Sequence, residues 1–249
     1  MNRQIKVLIG KLLVIKPLYG ILTRLFFLAN EEIYERFLIK CPILEFSIGK
    51  DWVRAPMYAA IFEFFRQLSN KENLKNKISI EIGGSEGSIK TILERFGVDY
   101  KVAPNFPEVD IHNLAYDDEV FDFLVLDQVL EHTRKPWEAV KEIFRVLKPG
   151  GISIVTGPFM IGYHGARLYK DYCRFTPDGW RDLFSDFEIM EVGGWGNARI
   201  IRTSLLPFFV GTEFGKSISV NKAIRRRLLR HNDGKNYLVT WCIARKHFD

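Results

Sequence analysis

Short apolar runs alternate with helical patterns along most of this chain, and that alternation limits the possible folds more than any other feature. The runs have the length and the β-branched or aromatic content of strands: Ile78–Ile82, Tyr100–Ala103, Phe121–Leu126, Ile152–Thr156, Phe187–Val192 and Tyr237–Ala244. The helical patterns are Pro56–Leu68, Ser88–Phe96, Trp137–Leu147 and Pro177–Phe184. Strands that alternate with helices imply a parallel sheet covered on both faces. The sequence therefore predicts an α/β fold.

The first strand run leads into a glycine-rich turn. Lys77–Gly87 reads Lys-Ile-Ser-Ile-Glu-Ile-Gly-Gly-Ser-Glu-Gly, and a helical pattern follows it. A strand that ends in a tight glycine turn before a helix lets a nucleotide-like ligand approach the backbone. No Gly-Lys-Ser/Thr follows, which excludes a Walker loop, and Ser85 stands where a dinucleotide fingerprint has its second glycine. The turn predicts a nucleoside cofactor site, with a purely structural turn as the alternative.

A second group of sequence motifs follows the glycine turn. Val109–His132 contains Asp-Ile, a Phe-Asp strand and a Leu-Glu-His ending, and Glu142–Gly151 ends in Arg-Val-Leu-Lys-Pro-Gly-Gly. Together with the turn, these motifs resemble the class I S-adenosylmethionine-dependent methyltransferases over roughly Ile78–Val192. The resemblance implies a Rossmann-like three-layer αβα sandwich, with a seven-stranded, mostly parallel sheet and an antiparallel last strand. It also implies S-adenosylmethionine as the cofactor.

The same resemblance implies which residues bind the cofactor. Glu81 would hold its amino group or order the turn, and Asp110 with the Ile111 amide would bind its adenine. In the family an acid after the second strand usually binds the ribose hydroxyls, and Asn105 would replace that acid with neutral hydrogen bonds. The other predicted cofactor residues lie in the glycine turn or after the strand Phe121–Leu126: Gly83, Gly84, Ser85, Gly87, Asp127 and Gln128.

Two histidines are the predicted catalytic residues. His132 follows Glu131, and this pair serves either as a catalytic element or as a structural link to the next helix. His164 lies in the loop 157–177, and we favour it as the substrate-facing base because histidine is the usual general base near neutral pH. This loop is similar to one in a methyltransferase subgroup linked to surface-glycan or other secondary biosynthesis, with Cys173 in place of the usual tryptophan.

The loop also contains the predicted substrate residues. Tyr172 and Arg174 would shape or charge the pocket. Alternatively, Asp171 and Arg174 form an ion pair that orders the loop, and Thr176 caps the next helix. The resemblance implies methyl transfer to a small-molecule or glycan acceptor, at a hydroxyl. The alternative function is a non-catalytic binding or scaffold protein with the methyltransferase fold, peripheral at the membrane.

The formal charge of +6 is concentrated near the two ends of the chain. Met1–Asn30 is apolar and basic, and its charges and Pro17 argue against a transmembrane helix. It is predicted either to pack on the domain as a helical extension or to rest on an anionic membrane surface. Arg225–Arg230 is either a solvated helix face or a site for a phosphorylated or lipid-linked substrate or a membrane. It lacks the interleaved aromatic residues typical of nucleic-acid binding.

The domain prediction places a helical extension at 1–70 and a methyltransferase domain at 71–249, with a helical basic insertion at about 200–232. Cys41, Cys173 and Cys242 are too few and too scattered for a disulfide framework or a cysteine zinc site. No metal is predicted. The cysteine usage favours a cytoplasmic setting, with contact at the inner membrane face as the alternative.

Overall fold

The computed structural model describes residues 52–84, 87–205, 229 and 231–248. The helices in this part of the chain are α1 Ala55–Ser69, α2 Ser88–Arg95, α3 Pro136–Val146, α4 Pro177–Leu183 and α5 Ala198–Leu205. The strands are β1 Ile78–Glu81, β2 Asp99–Val102, β3 Phe121–Asp127, β4 Leu147–Pro158, β5 Glu188–Trp195 and β6 Val239–Arg245. The predicted helices and strands agree with these to within a few residues at their ends, apart from the start of β4.

The strands form one sheet with the order β2-β1-β3-β4-β6-β5. The first four strands in this order pair in parallel, and β6 runs antiparallel to both β4 and β5. The predicted antiparallel last strand is therefore confirmed. The predicted number of seven strands is wrong for the described residues, whose sheet has six.

The segment between β2 and β3 explains the difference in strand number. Residues 103–120 form turns and a single isolated bridge between Asp110 and Asn113, not a strand. Proline cannot donate a ladder hydrogen bond, and this segment contains Pro104 and Pro107. Side chains of α3 satisfy part of its backbone instead. Arg145 donates to the carbonyls of Leu114 and Tyr116, and Glu142 accepts from the Leu114 amide.

Helices cover both faces of the sheet. Successive residues of a strand point to opposite faces, and Leu124 and Val125 of β3 accordingly lie in separate clusters of buried side chains. Val125 packs in the cluster formed with α1 and α2, whereas Leu124 packs in the cluster formed with α3 and α4. The three-layer αβα arrangement predicted from the sequence is confirmed.

Helix α1 belongs to the first of these buried clusters. Pro56 lies in its first turn, where proline is favoured because the amide there has no helical partner. Tyr58, Ile61 and Phe65 are almost completely buried against the sheet and α2. The last helix of the predicted extension 1–70 therefore shares a core with the segment after it, and the boundary itself stays a prediction.

Strand β4 begins earlier than predicted. The sequence predicts a turn at Lys148–Gly151 before a strand, but β4 already starts at Leu147. Phe121 pairs with Leu147 and Phe123 pairs with Ile152, so β4 accommodates extra residues as a bulge. Gly150 has φ +74°, a left-handed conformation that glycine adopts at little cost. The glycines therefore bend the strand without ending its pairing.

Several predictions fall outside the described residues. These are the membrane-contact prediction for Met1–Asn30, the cofactor role of Ser85, and the basic run Arg225–Arg230 apart from Leu229. Among the helices of the described part, none has the length and apolar character needed to cross a membrane.

Candidate active site

The polar side chains of the site lie where three neighbouring parallel strands end. Glu81 is the last residue of β1, Asp127 is the last residue of β3, and Thr156 of β4 pairs in register with Asp127. The carboxyl ends of parallel strands meet at one edge of the sheet, which is where ligands bind in open α/β folds. The predicted residues Glu81 and Asp127 are thereby brought to the same edge.

Asp127 is held by two hydroxyl groups. Tyr58 donates to its Oδ2 at 2.8 Å, and Thr156 donates to its Oδ1 at 2.5 Å. Burial, followed by the negative charge of Asp127, raises the pKa of Tyr58 well above its usual range, so this phenol stays a proton donor. The sequence analysis missed Tyr58, which lies 69 positions before its partner and carries no local motif.

Gln128 adopts an unusual backbone conformation beside this network. Its φ is +61°, which is uncommon for a residue with a side chain and often marks a functional site. The Thr156 hydroxyl accepts from its backbone amide at 3.1 Å and from its Nε2 at 2.9 Å. Its Oε1 is buried and accepts no hydrogen bond from any described residue. Gln128 thus offers a fixed acceptor at the edge of the sheet.

The glycine turn packs tightly against its neighbours. Gly83 has φ +70°, and a Cβ there would lie 3.0 Å from Cγ2 of Val129. A Cβ on Gly84 would lie 1.8 Å from Oε1 of Glu81, so the carboxylate occupies the space that a side chain would need. The two glycines are therefore required by the packing, whatever ligand the turn holds.

Glu81 is almost completely buried beneath the turn, with 1% of its surface exposed. Burial, and then the charge and a hydrogen bond of Glu81, raise the pKa of the neighbouring Tyr100 well above its usual range. Gly87, at the other end of the turn, lies close to Asp127, since a Cβ there would be 3.7 Å from its Oδ2. Both ends of the turn therefore face a carboxylate.

A cavity of about 310 Å³ opens beside the turn. Its lining combines three predicted cofactor residues, Gly83, Asp110 and Ile111, with the predicted catalytic residue His132 and the predicted substrate residue Tyr172. This size falls at the lower end of the range for small-molecule sites. The other described residues predicted to bind the cofactor do not line this cavity: Glu81, Gly84, Gly87, Asn105, Asp127 and Gln128.

Asp110 and Asn105 lie in the irregular segment after β2. Asp110 accepts from the backbone amide of His112 at 2.9 Å, and its Oδ1 lies 2.7 Å from Nδ1 of that histidine. The hydrogen bond from the His112 amide is the main cause that lowers the pKa of Asp110. Asp110 is therefore a preorganised acceptor at the cavity. Asn105 is exposed outside the cavity lining.

Glu131 lies in a short 3-10 helix, Leu130–His132, that follows β3. Its side chain is 1% exposed, and neither carboxylate oxygen accepts a hydrogen bond from the described residues. Burial raises its pKa to about 8. Its backbone carbonyl accepts from the amides of Tyr172 and Cys173. The loop 157–177, which is predicted to face the methyl acceptor and is called the acceptor loop below, is therefore hydrogen-bonded to this short helix.

His164 lies against the same helix. Its ring centroid is 4.8 Å from that of His132, and its Nδ1 is 3.1 Å from Oδ2 of Asp171. Burial is the main cause that lowers the pKa of His164. The ion pair with Arg174 holds the pKa of Asp171 well below its usual range. The structure therefore brings the two predicted catalytic histidines together.

Local hydrogen bonds position the remaining residues of the loop. Arg174 pairs with Asp171, with one of its nitrogens 2.6 Å from Oδ2, and it does not line the cavity. This is the loop-ordering ion pair that the sequence left open as an alternative. Thr176 accepts from the Gly179 amide at 2.9 Å, so its predicted role as the cap of α4 is confirmed. Tyr172 is half-exposed at the cavity.

Residues 73–155 match the family model described as a methyltransferase domain. This part of the chain is therefore similar to a methyltransferase domain. The matched residues include β1, the glycine turn, the segment with Asp110, and the short helix with Glu131 and His132. Methyltransferases of this family depend on S-adenosylmethionine, in agreement with the cofactor predicted from the sequence.

Solved structures of methyltransferases resemble this chain at low sequence identity. One is a putative sarcosine dimethylglycine methyltransferase from Galdieria sulphuraria, with 14% identity, a TM-score of 0.49, and coverage of 80% of this chain and 90% of that chain. Another is a putative methyltransferase from Bacillus halodurans, with 14% identity, a TM-score of 0.46, and coverage of 76% and 99%. A third is an S-adenosylmethionine-dependent methyltransferase from Mesorhizobium loti, with 12% identity, a TM-score of 0.45, and coverage of 77% and 97%. No curated protein matches this chain in sequence.

The Thr156 hydroxyl makes hydrogen bonds with two residues that are predicted to bind the cofactor, Asp127 and Gln128. We therefore expect its removal to lower both the stability of the protein and its affinity for the cofactor. Thr156→Val keeps the shape but leaves Oδ1 of Asp127 without its hydroxyl donor and Nε2 of Gln128 without its hydroxyl acceptor. We expect a loss of about 1–3 kcal/mol in the free energy of unfolding, measured by urea denaturation, together with weaker cofactor binding.

Ser153→Ala is the matched control for this substitution. Ser153 lies on the same strand and is equally buried, but its hydroxyl has no hydrogen-bond partner among the described residues. Removing it should change stability little, because no partner is left unsatisfied. Equal effects of the two substitutions would contradict the role assigned to Thr156.

Proposed function

We propose that this protein transfers the methyl group of S-adenosylmethionine to a hydroxyl of a small-molecule or glycan acceptor. The observation that carries the proposal is the shared cavity. Residues predicted to bind the cofactor line one side of it, and His132 with the acceptor loop lines the other. A donor held at the turn and an acceptor held at the loop would meet in this one cavity.

The cofactor's charged groups match the polar groups at the edge of the sheet. Its ammonium group would pair with Glu81, whose carboxylate lies directly under Gly84. Its adenine would lie near Asp110 and Ile111, where the preorganised carboxylate accepts from the exocyclic amine. Asp127 and Gln128 supply the acceptors between these two ends.

The histidines are the groups that would handle the acceptor's proton. His132 lines the cavity, and His164 packs against it with a ring separation of 4.8 Å. S-adenosylmethionine would supply an activated methyl group, which the acceptor oxygen would take as the carbon–sulfur bond breaks. The histidine pair would accept the hydroxyl proton. Because the sulfonium is already activated, most of the catalysis would come from positioning the two reactants.

The exposed aromatic residues of the loop support an acceptor with apolar faces and polar edges. Tyr163, Tyr169 and Tyr172 are each about half or more exposed between β4 and α4, and Leu168 is 72% exposed. Tyrosine combines an apolar ring with a polar hydroxyl, which suits the faces and hydroxyl groups of such molecules. Contact of the protein with a membrane surface stays a prediction, because the basic segments that would make it lie outside the described residues.

Calorimetric titration with S-adenosylmethionine and with its demethylated product tests the cofactor assignment. We expect saturable binding of both ligands, because both carry the ammonium and adenine groups that the site would hold. Screening hydroxylated small molecules and glycans with a methyl-labelled cofactor then tests the transfer. Binding without transfer to any acceptor would favour the scaffold alternative, and absence of binding to either ligand would refute the enzyme proposal.

A further inference from the structure

Glu131, His132 and His164 bring three potential metal ligands together. Oε1 of Glu131 lies 3.7 Å from Nε2 of His132 and 3.8 Å from Nε2 of His164. One ligand atom from each residue lies within 4.8 Å of the other two. Two imidazoles and a carboxylate form a common ligand set of catalytic zinc sites.

Polar groups contact the far side of each histidine. Nδ1 of His132 lies 2.7 Å from the carbonyl oxygen of Lys170, so it carries the proton, and Nε2 has its lone pair toward Glu131. Metal-bound histidines typically donate their second nitrogen to a carbonyl or carboxylate in this way. Nδ1 of His164 lies 3.1 Å from the Asp171 carboxylate and 3.4 Å from the Arg174 guanidinium, which is itself paired with Asp171.

The burial of Glu131 is an independent observation that points to a cation. Its side chain is 1% exposed, and neither oxygen accepts a hydrogen bond from the described residues. A buried carboxylate without a donor is costly, and buried charges are normally paired or coordinate metals. Oε1 of Glu131 faces Nε2 of both histidines, at 3.7 and 3.8 Å. A cation between the three side chains would satisfy all of them.

We propose that Glu131, His132 and His164 bind one divalent cation, and that Zn²⁺ fits this ligand set best. Ligand atoms at about 2.0–2.2 Å from a tetrahedral zinc lie roughly 3.3–3.6 Å apart. The two separations from Oε1 of Glu131, 3.7 and 3.8 Å, approach this spacing, and rotation of the histidine rings would adjust the distance between their nitrogens. His132 and His164 are 19% and 34% exposed, so the fourth position opens toward the cavity and the solvent.

The role of the ion in catalysis rests on the proposed function, whereas its binding does not. A hydroxyl that coordinates the open position would lose its proton to solvent more readily, because the cation stabilises the alkoxide. The alkoxide oxygen would then bond to the methyl carbon, and the sulfonium would leave as a neutral thioether. In this arrangement the two histidines act by holding the ion instead of accepting the proton themselves.

Zinc binding to the full-length chain without a histidine tag tests the proposal. The protein is stripped with a chelator, titrated with Zn²⁺ by calorimetry, and analysed for zinc content after dialysis. We expect one zinc per chain and a rise in melting temperature with zinc, because a ligand that binds only the native state stabilises it. Glu131→Gln and His164→Ala should each weaken zinc binding by more than about 100-fold, because each removes a direct ligand and loss of a second-shell group alone costs about 10–100-fold.

Two variants keep the test decisive. His247→Ala removes an exposed histidine near the end of β6 and should leave zinc binding unchanged. Glu131→Gln has nearly the same shape as the native residue, so its native fold, checked by circular dichroism, separates loss of a ligand from loss of structure. No zinc uptake by the native chain, or equal uptake by folded Glu131→Gln, would overturn the proposal. Zinc binding without cofactor binding would refute only the proposed function, and cofactor binding without zinc binding would refute only the metal site.

Discussion

Glu81→Gln should weaken S-adenosylmethionine binding by about 100-fold or more while leaving the fold intact. Removing one partner of a buried ion pair costs about 3–5 kcal/mol, and each 1.4 kcal/mol corresponds to a factor of ten in affinity. Glu81 is almost completely buried at the end of β1, so solvent would screen its pairing with the cofactor's ammonium group only weakly. An amide of the same shape keeps the packing under Gly84 but cannot neutralise that charge.

Calorimetric titration of the native chain and the variant measures this effect, with thermal unfolding as the check on the fold. We expect the melting temperature of the ligand-free variant to be unchanged or higher, because a buried charge is replaced by a neutral group. Glu94→Gln is the matched control. Glu94 lies on α2, beyond the turn, with half of its side chain exposed and a 3.9 Å ion pair to Lys90.

An unchanged affinity for the cofactor in Glu81→Gln would contradict the pairing with the ammonium group. In that case Glu81 would serve to order the glycine turn, which the sequence also allowed. The function of Glu81 would then be limited to packing its carboxylate against Gly84. The two roles are therefore separated by a single pair of titrations.

His164→Ala should lower the turnover number by about 10²–10⁴-fold, the usual contribution of a general acid or base. The side chain is held between Asp171 and the Glu131–His132 pair, so its position does not depend on a bound ligand. Cofactor affinity should stay close to that of the native chain, because His164 is not among the residues lining the part of the cavity with Gly83 and Asp110. The loss would thus appear in the transfer step.

The measurement compares turnover number and acceptor KM for the native chain, His164→Ala and His247→Ala, with an acceptor found in the labelled screen. His247 is exposed and distant in sequence from the loop, so its variant controls for the general effect of removing a histidine. Native-like turnover in His164→Ala would show that this residue neither accepts the proton nor holds an essential ion. If turnover falls, the zinc content of the variant distinguishes these two roles.

Local patterns in the sequence were sufficient to predict most helices and strands and the glycine turn. The strand Ile78–Glu81, the left-handed Gly83 and the cap at Thr176 each depend on residues that lie close together in the chain. The start of β4 was misjudged because Lys148–Gly151 reads as a turn. Only the pairing of Leu147 with Phe121 shows that the strand continues through these residues as a bulge.

The number of strands is a second feature that could not be predicted from local sequence patterns. The family resemblance implied a seventh strand, whereas the segment between β2 and β3 bonds to Glu142 and Arg145 of α3. No pattern within residues 103–120 identifies these partners, because a side chain two elements away satisfies the backbone. The strand number was therefore settled by packing rather than by propensity.

The sequence by itself determined the layered α/β architecture, the glycine turn and the likeness to methyltransferases, because alternation and motif spacing are properties of contiguous residues. Tertiary structure decided how the polar groups of the site meet. It placed Tyr58 on Asp127, joined Asp127 to Gln128 through Thr156, and buried Glu131 between two histidines. These contacts join side chains from separate elements, and a carboxylate becomes a candidate metal ligand only when packing removes its water and its hydrogen-bond donors.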